Sequence, residues 1–316
     1  MQTTAANTAF TAEEIRQRKI TKKGLSLNIL LIGENGIGKR TFANTLSNTV
    51  FFPEEIYLEE DVVKRIEVDT MEDLKIETHI IDVVEQNSTP IKLNIGLTKN
   101  FGHNIDNSGS YRVILDHILE EYETFLSEES KINRNPYLTD KRIHVGLYFL
   151  RATSRELNEF DIQNMKQIGD RINLIPVISK ADTLTQEELE YNKYLIRKSI
   201  ADHNIPVFNF LKDVNEQLAS EELEDYQYIK EVDKAVPFGI ISSNIVIEGQ
   251  RVRVTTWGRV NIEDENNCDC KLLRNVLLGS HLQDFKDATI STKYEAYRVE
   301  QLMKQFQDSQ NNFPRK

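Results

Sequence analysis

The chain has 316 residues, with 39 Lys and Arg against 50 Asp and Glu, a formal net charge of −11, 39% hydrophobic residues and 28% charged ones. That size and balance suit one large or two smaller soluble α/β domains with a sizeable core, and the acidic excess argues against general nucleic-acid binding. No run approaches the roughly 18 to 20 apolar residues of a membrane span, Met1–Phe10 lacks the basic-then-apolar order of a signal peptide, and Cys268 and Cys270 are too close for an ordinary disulfide and too few for a zinc cage.

Met1 to about Glu14 carries no sustained apolar period and is expected to be disordered. Arg16, Arg18, Lys19, Lys22 and Lys23 then crowd together just before Gly24. Such a cluster is either a solvated arm or a patch for anionic lipid headgroups, where each charge is worth about 1 kcal/mol near the surface.

Leu27 to Ile32 is an apolar run of strand length that ends at Gly33; Glu34, Asn35, Gly36, Ile37 and Gly38 form a loop, and Lys39, Arg40 and Thr41 lead into a helix carrying Phe42 and Leu46. This is the pattern of a phosphate-binding P-loop. Its glycines let backbone N–H groups approach phosphate oxygens, the helix that follows points its positive end the same way, and Lys39 supplies a mobile charge. The pattern wants Ser or Thr directly after the lysine to hold Mg²⁺, and here Arg40 stands there with Thr41 one place late. The anion cradle therefore reads as intact and the metal clamp as compromised.

Beyond the P-loop helix, Ile66–Val68 and Leu74–Ile81 alternate as half-buried strands do, Ile91–Ile95 reads as a further strand, and Leu97–His103 as the loop after it. Tyr111–Leu126 repeats apolar residues at helical spacing. Val145–Leu150 and Ile172–Ser179 are continuous apolar runs, the mark of central strands covered on both faces, with a helix over about Asn158–Gly169 between them. A helix over Thr185–His203 has Thr185 as N-cap, Ile205–Phe208 reads as a short edge strand, Lys212–Asp233 as an acidic surface helix, and Phe238–Asn244 as a sixth buried strand. Ile245–Val254 and Trp257–Val260 look like an antiparallel hairpin or meander, and two helices, Asp269–Leu282 and Tyr294 to about Phe306, close the chain. Alternating strands and helices argue for a mostly parallel sheet wrapped by helices. There is no internal repeat and no sustained heptad run.

Ser179-Lys180-Ala181-Asp182, at the end of a buried strand in a chain that already has a P-loop, is the second signal. An aspartate there accepts from the ring N–H and exocyclic amine of guanine while the lysine stem lies along the base; adenine offers no matching donors. At these residues the chain resembles the septins over roughly Ile20 to Leu302. The P-loop, the Lys180–Asp182 motif and Asn104–Ser108 resemble septin segments, as do Val236-Pro237-Phe238, Ser243-Asn244, Arg251-Val252-Arg253, Thr256-Trp257-Gly258, Leu272-Leu273-Arg274, His281–Lys286 and Tyr294–Arg298 in the septin unique element. Glu128–Pro136 looks most like fungal septins of the rod-end group, sporulation-specific paralogues included.

The resemblance implies an α/β fold with a P-loop GTPase-type, mostly parallel sheet flanked by helices and extended by a small antiparallel meander plus helices. It divides the chain into an arm and basic stretch (1–23), a GTP-binding core (24–236), the unique element with its closing helices (237–306) and a tail (307–316). It further implies GTP or GDP as ligand, with Ser242 and Arg253 at the guanine and Arg251 as an alternative register. Partners would be other septin subunits, met through a nucleotide-side interface including Trp257 and through a terminal interface, and a phosphoinositide surface met by Arg16 to Lys23. The place would be cytoplasmic and cytoskeletal, at the inner face of the plasma membrane, in a septin ring, bud neck or prospore membrane.

Departures from the family pattern set the mechanism. Where septin GTPases carry Asp-x-x-Gly, this chain reads Leu97-Thr98-Lys99-Asn100, without the aspartate that holds a metal-bound water or the glycine whose N–H meets the γ-phosphate. Asp106–Gly109 matches the letters but falls after the loop. Ser154-Arg155-Glu156 replaces a Gly-His-Gly contact loop. Phosphoryl transfer is mostly electrostatic positioning around Mg²⁺, so hydrolysis is expected to be very weak or absent and bound nucleotide structural. Arg40 is a candidate to set its guanidinium where Mg²⁺ would sit. The alternative is a slow GTPase using a non-standard group such as His103.

Overall fold

The computed structural model describes residues 25–53, 74–83, 90–103, 107–133, 139–212, 223–256 and 258–311. The expected strand at Ile66–Val68, the basic stretch from Arg16 to Lys23, Asn104–Asp106, Arg134–Pro136 and Trp257 lie outside them.

Six strands form the central sheet in the order β2-β3-β1-β4-β5-β6: β1 Leu25–Ile32, β2 Lys75–Val83, β3 Ile91–Lys99, β4 Val145–Arg151, β5 Asn173–Ser179 and β6 Phe238–Ile240. All neighbours are parallel except the antiparallel pair β2 and β3. The apolar runs explain the order. Every residue of β5, and every residue of β4 except Arg151, is buried, which requires helices on both faces and places these strands inside the sheet. Edge strand β2 alternates exposed and covered positions instead.

The helices are α1 Lys39–Ser47, α2 Ser110–Glu129, α3 Glu159–Gly169, α4 Gln186–Asp202 and α5 Leu223–Ala235. Asn158 caps α3 by accepting from the Asp161 N–H, and Thr185 and Glu188 form a capping box on α4. The expected meander is present as β7 Val246–Ile247, β8 Gln250–Thr255 and β9 Gly258–Asn261. The closing region is α6 Cys270–Asn275, α7 Leu282–Ala288 and α8 Glu295–Asn311, linked by π-helical turns at Val276–Ser280 and Thr289–Tyr294.

Several expectations change. Ile205–Phe208 is not a strand: Pro206 has no N–H to give, and Phe208 N–H donates to Leu174 O at 2.8 Å outside any ladder. Leu97–Lys99, expected in a loop, continue β3 because their backbone pairs with β2, Thr98 opposite Ile76 and Lys99 opposite Lys75. The sixth strand stops at Ile240, and the two closing helices are three, with 282–293 helical as well. Of the expected helix over Lys212–Asp233, α5 begins only at Leu223, and 213–222 lie outside the described residues.

The carboxyl-terminal elements are bonded into the core. The Asn173 side-chain amide, buried at the foot of β5, donates to His144 O, Phe285 O and Thr289 Oγ1 at 2.9–3.0 Å. The rings of Tyr294 and Tyr297 pack on the Tyr122 ring of α2, and the Arg142 guanidinium lies 3.7 Å from the Phe125 ring centre and 4.8 Å from that of Tyr294. No helix among the described residues is long and apolar enough to cross a membrane.

Candidate functional site

Between β1 and α1 the loop Gly33–Gly38 turns back over the sheet. Gly33 (φ 156°) could carry no side chain without a Cβ 2.9 Å from Phe149 Cβ, and Gly38 (φ 105°) starts α1 from a left-handed conformation, its carbonyl accepting from the Phe42 N–H at 2.9 Å. Asn35 and Gly36 are exposed on the loop, Ile37 is buried and anchors it, and Thr41 is half-buried with its carbonyl accepting from the Thr45 hydroxyl. The Ser179 hydroxyl, at the end of β5, donates to Ile37 O at 2.5 Å, so the loop is tied directly to the strand that ends in Lys180 and Asp182.

Lys39 Nζ is 2.5 Å from Gly33 O and 2.7 Å from Glu34 O, and the residue is only 7% exposed. Burial first, and then the neighbouring Arg40, bring its pKa down to about 7, with Glu34 opposing. An anion brought beside this ammonium offsets the cost of its burial, which is the chemistry a phosphate supplies.

The other end of the site is built by the β5 terminus and the meander. Asp182 has a side chain 6% exposed; its Oδ2 lies 2.7 Å from Arg253 Nε, while Oδ1 is buried and accepts from no group among the described residues. Arg253 Nη1 also donates to Ser242 O at 3.3 Å, so Asp182, Arg253 and Ser242 are brought together. Lys180, left-handed at φ 57°, is exposed beside them. Arg251 goes elsewhere: it is 6% exposed and donates to Asn48 Oδ1 and Ser243 O at 3.1 Å. A buried carboxylate oxygen without a partner is costly, and guanine, with two adjacent N–H donors, fits it.

The third part of the site is the end of β3. Leu97 is 3% exposed where the metal-holding aspartate of the pattern would stand. The Thr98 hydroxyl accepts from the Gly33 N–H at 3.2 Å and sits 3.3 Å from the carbonyls of Leu31 and Gly33. Asn35 and Asn100 bond reciprocally: Asn35 Nδ2 donates to Asn100 Oδ1 at 2.8 Å, and Asn100 N–H donates to Asn35 Oδ1 at 2.9 Å. Arg40 Nη2 reaches Glu77 Oε2 on β2 at 3.8 Å, and Lys99 Nζ reaches Glu77 Oε1 at 3.7 Å. The guanidinium expected in the place of Mg²⁺ is thus drawn toward a carboxylate on the sheet edge. These groups do not fit a magnesium site: an arginine and a buried leucine stand where two oxygen ligands are needed.

On the flank, Glu34 pairs with Arg151 at the end of β4 and borders a cleft of about 480 Å³ that also receives Asp161 and Asn192. Burial, with Glu34 adding, pushes the Asp161 carboxyl up to about 6 against a hydrogen bond from the Tyr148 hydroxyl at 2.8 Å. His103 is exposed at the end of the β3 loop, and Ser154 is left-handed at φ 52°. Sequence reasoning passed over Thr98, Asn100 as a partner of Asn35, and the Glu34–Arg151 pair. The signal for the second was the asparagine itself, the residue that tolerates the left-handed φ of 63° at that turn.

A family model described as Septin matches residues 23–311. Cell division control protein 11 of Saccharomyces cerevisiae is 38% identical over 296 residues, 91% of this chain and 69% of that protein. Sporulation-regulated protein 28 of the same yeast is 36% identical over 334 residues, 95% of this chain and 78% of its own length. The crystal structure of Cdc11 from Saccharomyces cerevisiae aligns with a TM-score of 0.57 at 31% identity, over 87% of this chain and 99% of that one. A septin GTPase domain from Chlamydomonas reinhardtii, 19% identical, aligns with a TM-score of 0.61 over 87% of this chain and 98% of its own, a likeness of fold.

Proposed function

The chain belongs to the septin family, and from that premise we propose that it is a subunit of hetero-oligomeric septin filaments that holds guanine nucleotide structurally, with little or no hydrolysis. It works as a cytoskeletal scaffold at the inner face of the plasma membrane in cytokinesis or spore formation, settings to which the names of two relatives point. Neighbouring subunits meet it on the nucleotide side, where Trp257 takes part, and at the terminal regions; Arg16, Arg18, Lys19, Lys22 and Lys23 face phosphoinositide headgroups.

One observation carries the reading: the site pairs a buried, unsatisfied acceptor at Asp182 with a buried Leu97 where metal chemistry would need an oxygen. Binding and catalysis make separate demands, since holding a nucleotide needs donors and acceptors in place, whereas cleaving it needs a positioned metal and water. Gly33, Gly36, Gly38 and Lys39 serve the phosphates; Lys180, Asp182, Ser242 and Arg253 serve the base.

The test is to denature the purified full chain, identify any released nucleotide by chromatography, and follow phosphate release from added GTP in a single turnover. Guanine nucleotide in the released fraction, with phosphate release no faster than in buffer, is the expected result. Steady release would turn the reading to an enzyme, and a chain that neither carries nor takes up guanine nucleotide would overturn it.

A further inference from the structure

The terminal phosphate of a P-loop ligand lies between the loop, whose lysine reaches the last two phosphates, and the end of the strand beside it. In this chain those two walls are already joined to each other. Asn35, exposed in the middle of the loop, and Asn100, 9% exposed at the end of β3, exchange two hydrogen bonds of 2.8 and 2.9 Å across 65 residues of sequence. One of the two uses the Asn100 backbone N–H, a donor that an anion entering between loop and strand would need. Thr98 takes the Gly33 N–H in the same way and fixes the strand end to the start of the loop.

We infer that the Asn35–Asn100 pair is a clasp filling the place of a third phosphate, so that this site selects guanosine diphosphate over the triphosphate. The inference rests on the reading of the pocket as a guanine-nucleotide site and adds which nucleotide it keeps. Two features show that the pair is more than two polar side chains meeting at a surface. Asn100 holds a left-handed φ of 63°, a conformation that costs an L-residue energy and that its backbone bond to Asn35 helps to keep. Two cations flanking this end are also engaged locally, Arg40 and Lys99 both reaching Glu77. A diphosphate needs the loop's backbone donors, the start of α1 and Lys39, and the clasp takes up none of these, since its two bonds run between the Asn35 side chain and Asn100. A triphosphate must open the clasp first, and losing two neutral hydrogen bonds sets a discrimination of about tenfold.

The experiment uses the full chain, stripped of nucleotide, in EDTA. Isothermal titration with GDP and with the non-hydrolysable GTP analogue GMPPNP is expected to give at least about a tenfold tighter Kd for GDP. Asn35→Ala should narrow that ratio by about tenfold, and Asn35→Asp, which keeps the acceptor and adds a negative charge against the third phosphate, should widen it. The ratio is read because a general loss of loop grip affects both ligands and cancels. Hydrogen exchange without nucleotide gives a second readout: the Asn100 amide is expected to be protected in the parent and to exchange at least about tenfold faster in Asn35→Ala. An unchanged ratio with GDP still bound, or an unchanged Asn100 exchange rate, would overturn the clasp alone. Failure of the parent chain to bind either nucleotide would overturn the clasp together with the nucleotide reading.

Discussion

The two ends of the pocket handle their polar groups in opposite ways. At the proposed purine end, Asp182 carries a buried oxygen that no group among the described residues satisfies, so this end is complete only with something that donates to it. At the far end, Asn35 bonds Asn100, Thr98 bonds Gly33, and Arg40 and Lys99 meet Glu77, so the protein satisfies itself. On the proposed reading, a P-loop protein gives up the cleavage of a phosphate bond without giving up the pocket: the polar atoms at the phosphate end have partners within the chain, while the buried acceptor of Asp182 is left for a ligand.

The largest expected effect comes from removing the open acceptor. In Asp182→Asn the carboxylate becomes an amide, and losing a charge-assisted hydrogen bond of about 1.5 kcal/mol while setting the amide NH₂ against a donor of guanine at about the same cost weakens GDP about 100-fold. Xanthosine diphosphate, which presents a carbonyl where guanine has its amine, should bind this variant better than GDP does, reversing the parent's order. Titration with both nucleotides checks it, with circular dichroism to establish that the variant is folded. If GDP affinity is unchanged, the base does not lie against Asp182 and the contrast between the two ends fails at its stronger side.

Next in size is the pH dependence that Lys39 imposes on the boundary between them. Its pKa of about 7 lies below the ordinary 10.5, mainly through burial, and phosphate oxygens at its side raise it again. Nucleotide binding above pH 7 therefore takes up a proton at Lys39, and affinity for GDP should fall as pH rises from about 7, by at most about tenfold per unit. Stability of the protein alone runs the other way. Between about 7 and 10.5 the unfolded chain holds a proton that the folded one has released, so the contribution of Lys39 to stability increases with pH. Titration calorimetry in buffers of different ionisation enthalpy, with urea unfolding at the same pH values, reads both slopes; Lys39→Met should flatten each.

How much of this contrast the sequence displays depends on range. The sheet is legible where apolar runs are unbroken, as in Val145–Leu150 and Ile172–Ser179, because a strand covered on both faces needs nothing but apolar residues. The proposed phosphate cradle and Asp182 stand out in the sequence because glycines and charges recur there at fixed short spacing after buried strands. The continuation of β3 through Lys99 is not, since it depends on main-chain pairing with β2 and no side-chain period marks it. Arg251 and Arg253 stand two apart on one strand face, so alternation cannot choose between them. Depth separates them: one is buried against Asn48 and Ser243, the other reaches Asp182. The self-satisfied end was hidden for the plainest reason, that Asn35 and Asn100 are ordinary loop residues until the fold brings β1 and β3 side by side.

The smallest effect concerns Glu77, the carboxylate that Arg40 and Lys99 share. The three side chains are 38–44% exposed and the contacts are 3.7 and 3.8 Å, so water and salt screen the pair and its share of stability is small. Glu77→Gln should shift the unfolding free energy by less than about 0.5 kcal/mol. Its effect should appear in binding instead. With the carboxylate gone, the positive field of Arg40 and Lys99 acts on the phosphates, and GDP should tighten by about two- to threefold at low ionic strength, a gain that shrinks as salt approaches physiological strength. Urea denaturation and titration at two salt concentrations measure the two quantities on one preparation. A loss of stability above about 1 kcal/mol, with affinity unmoved, would mean that Glu77 holds the sheet edge to α1 rather than neutralising the phosphate end. The closure of that end would then rest on the asparagine and threonine bonds alone.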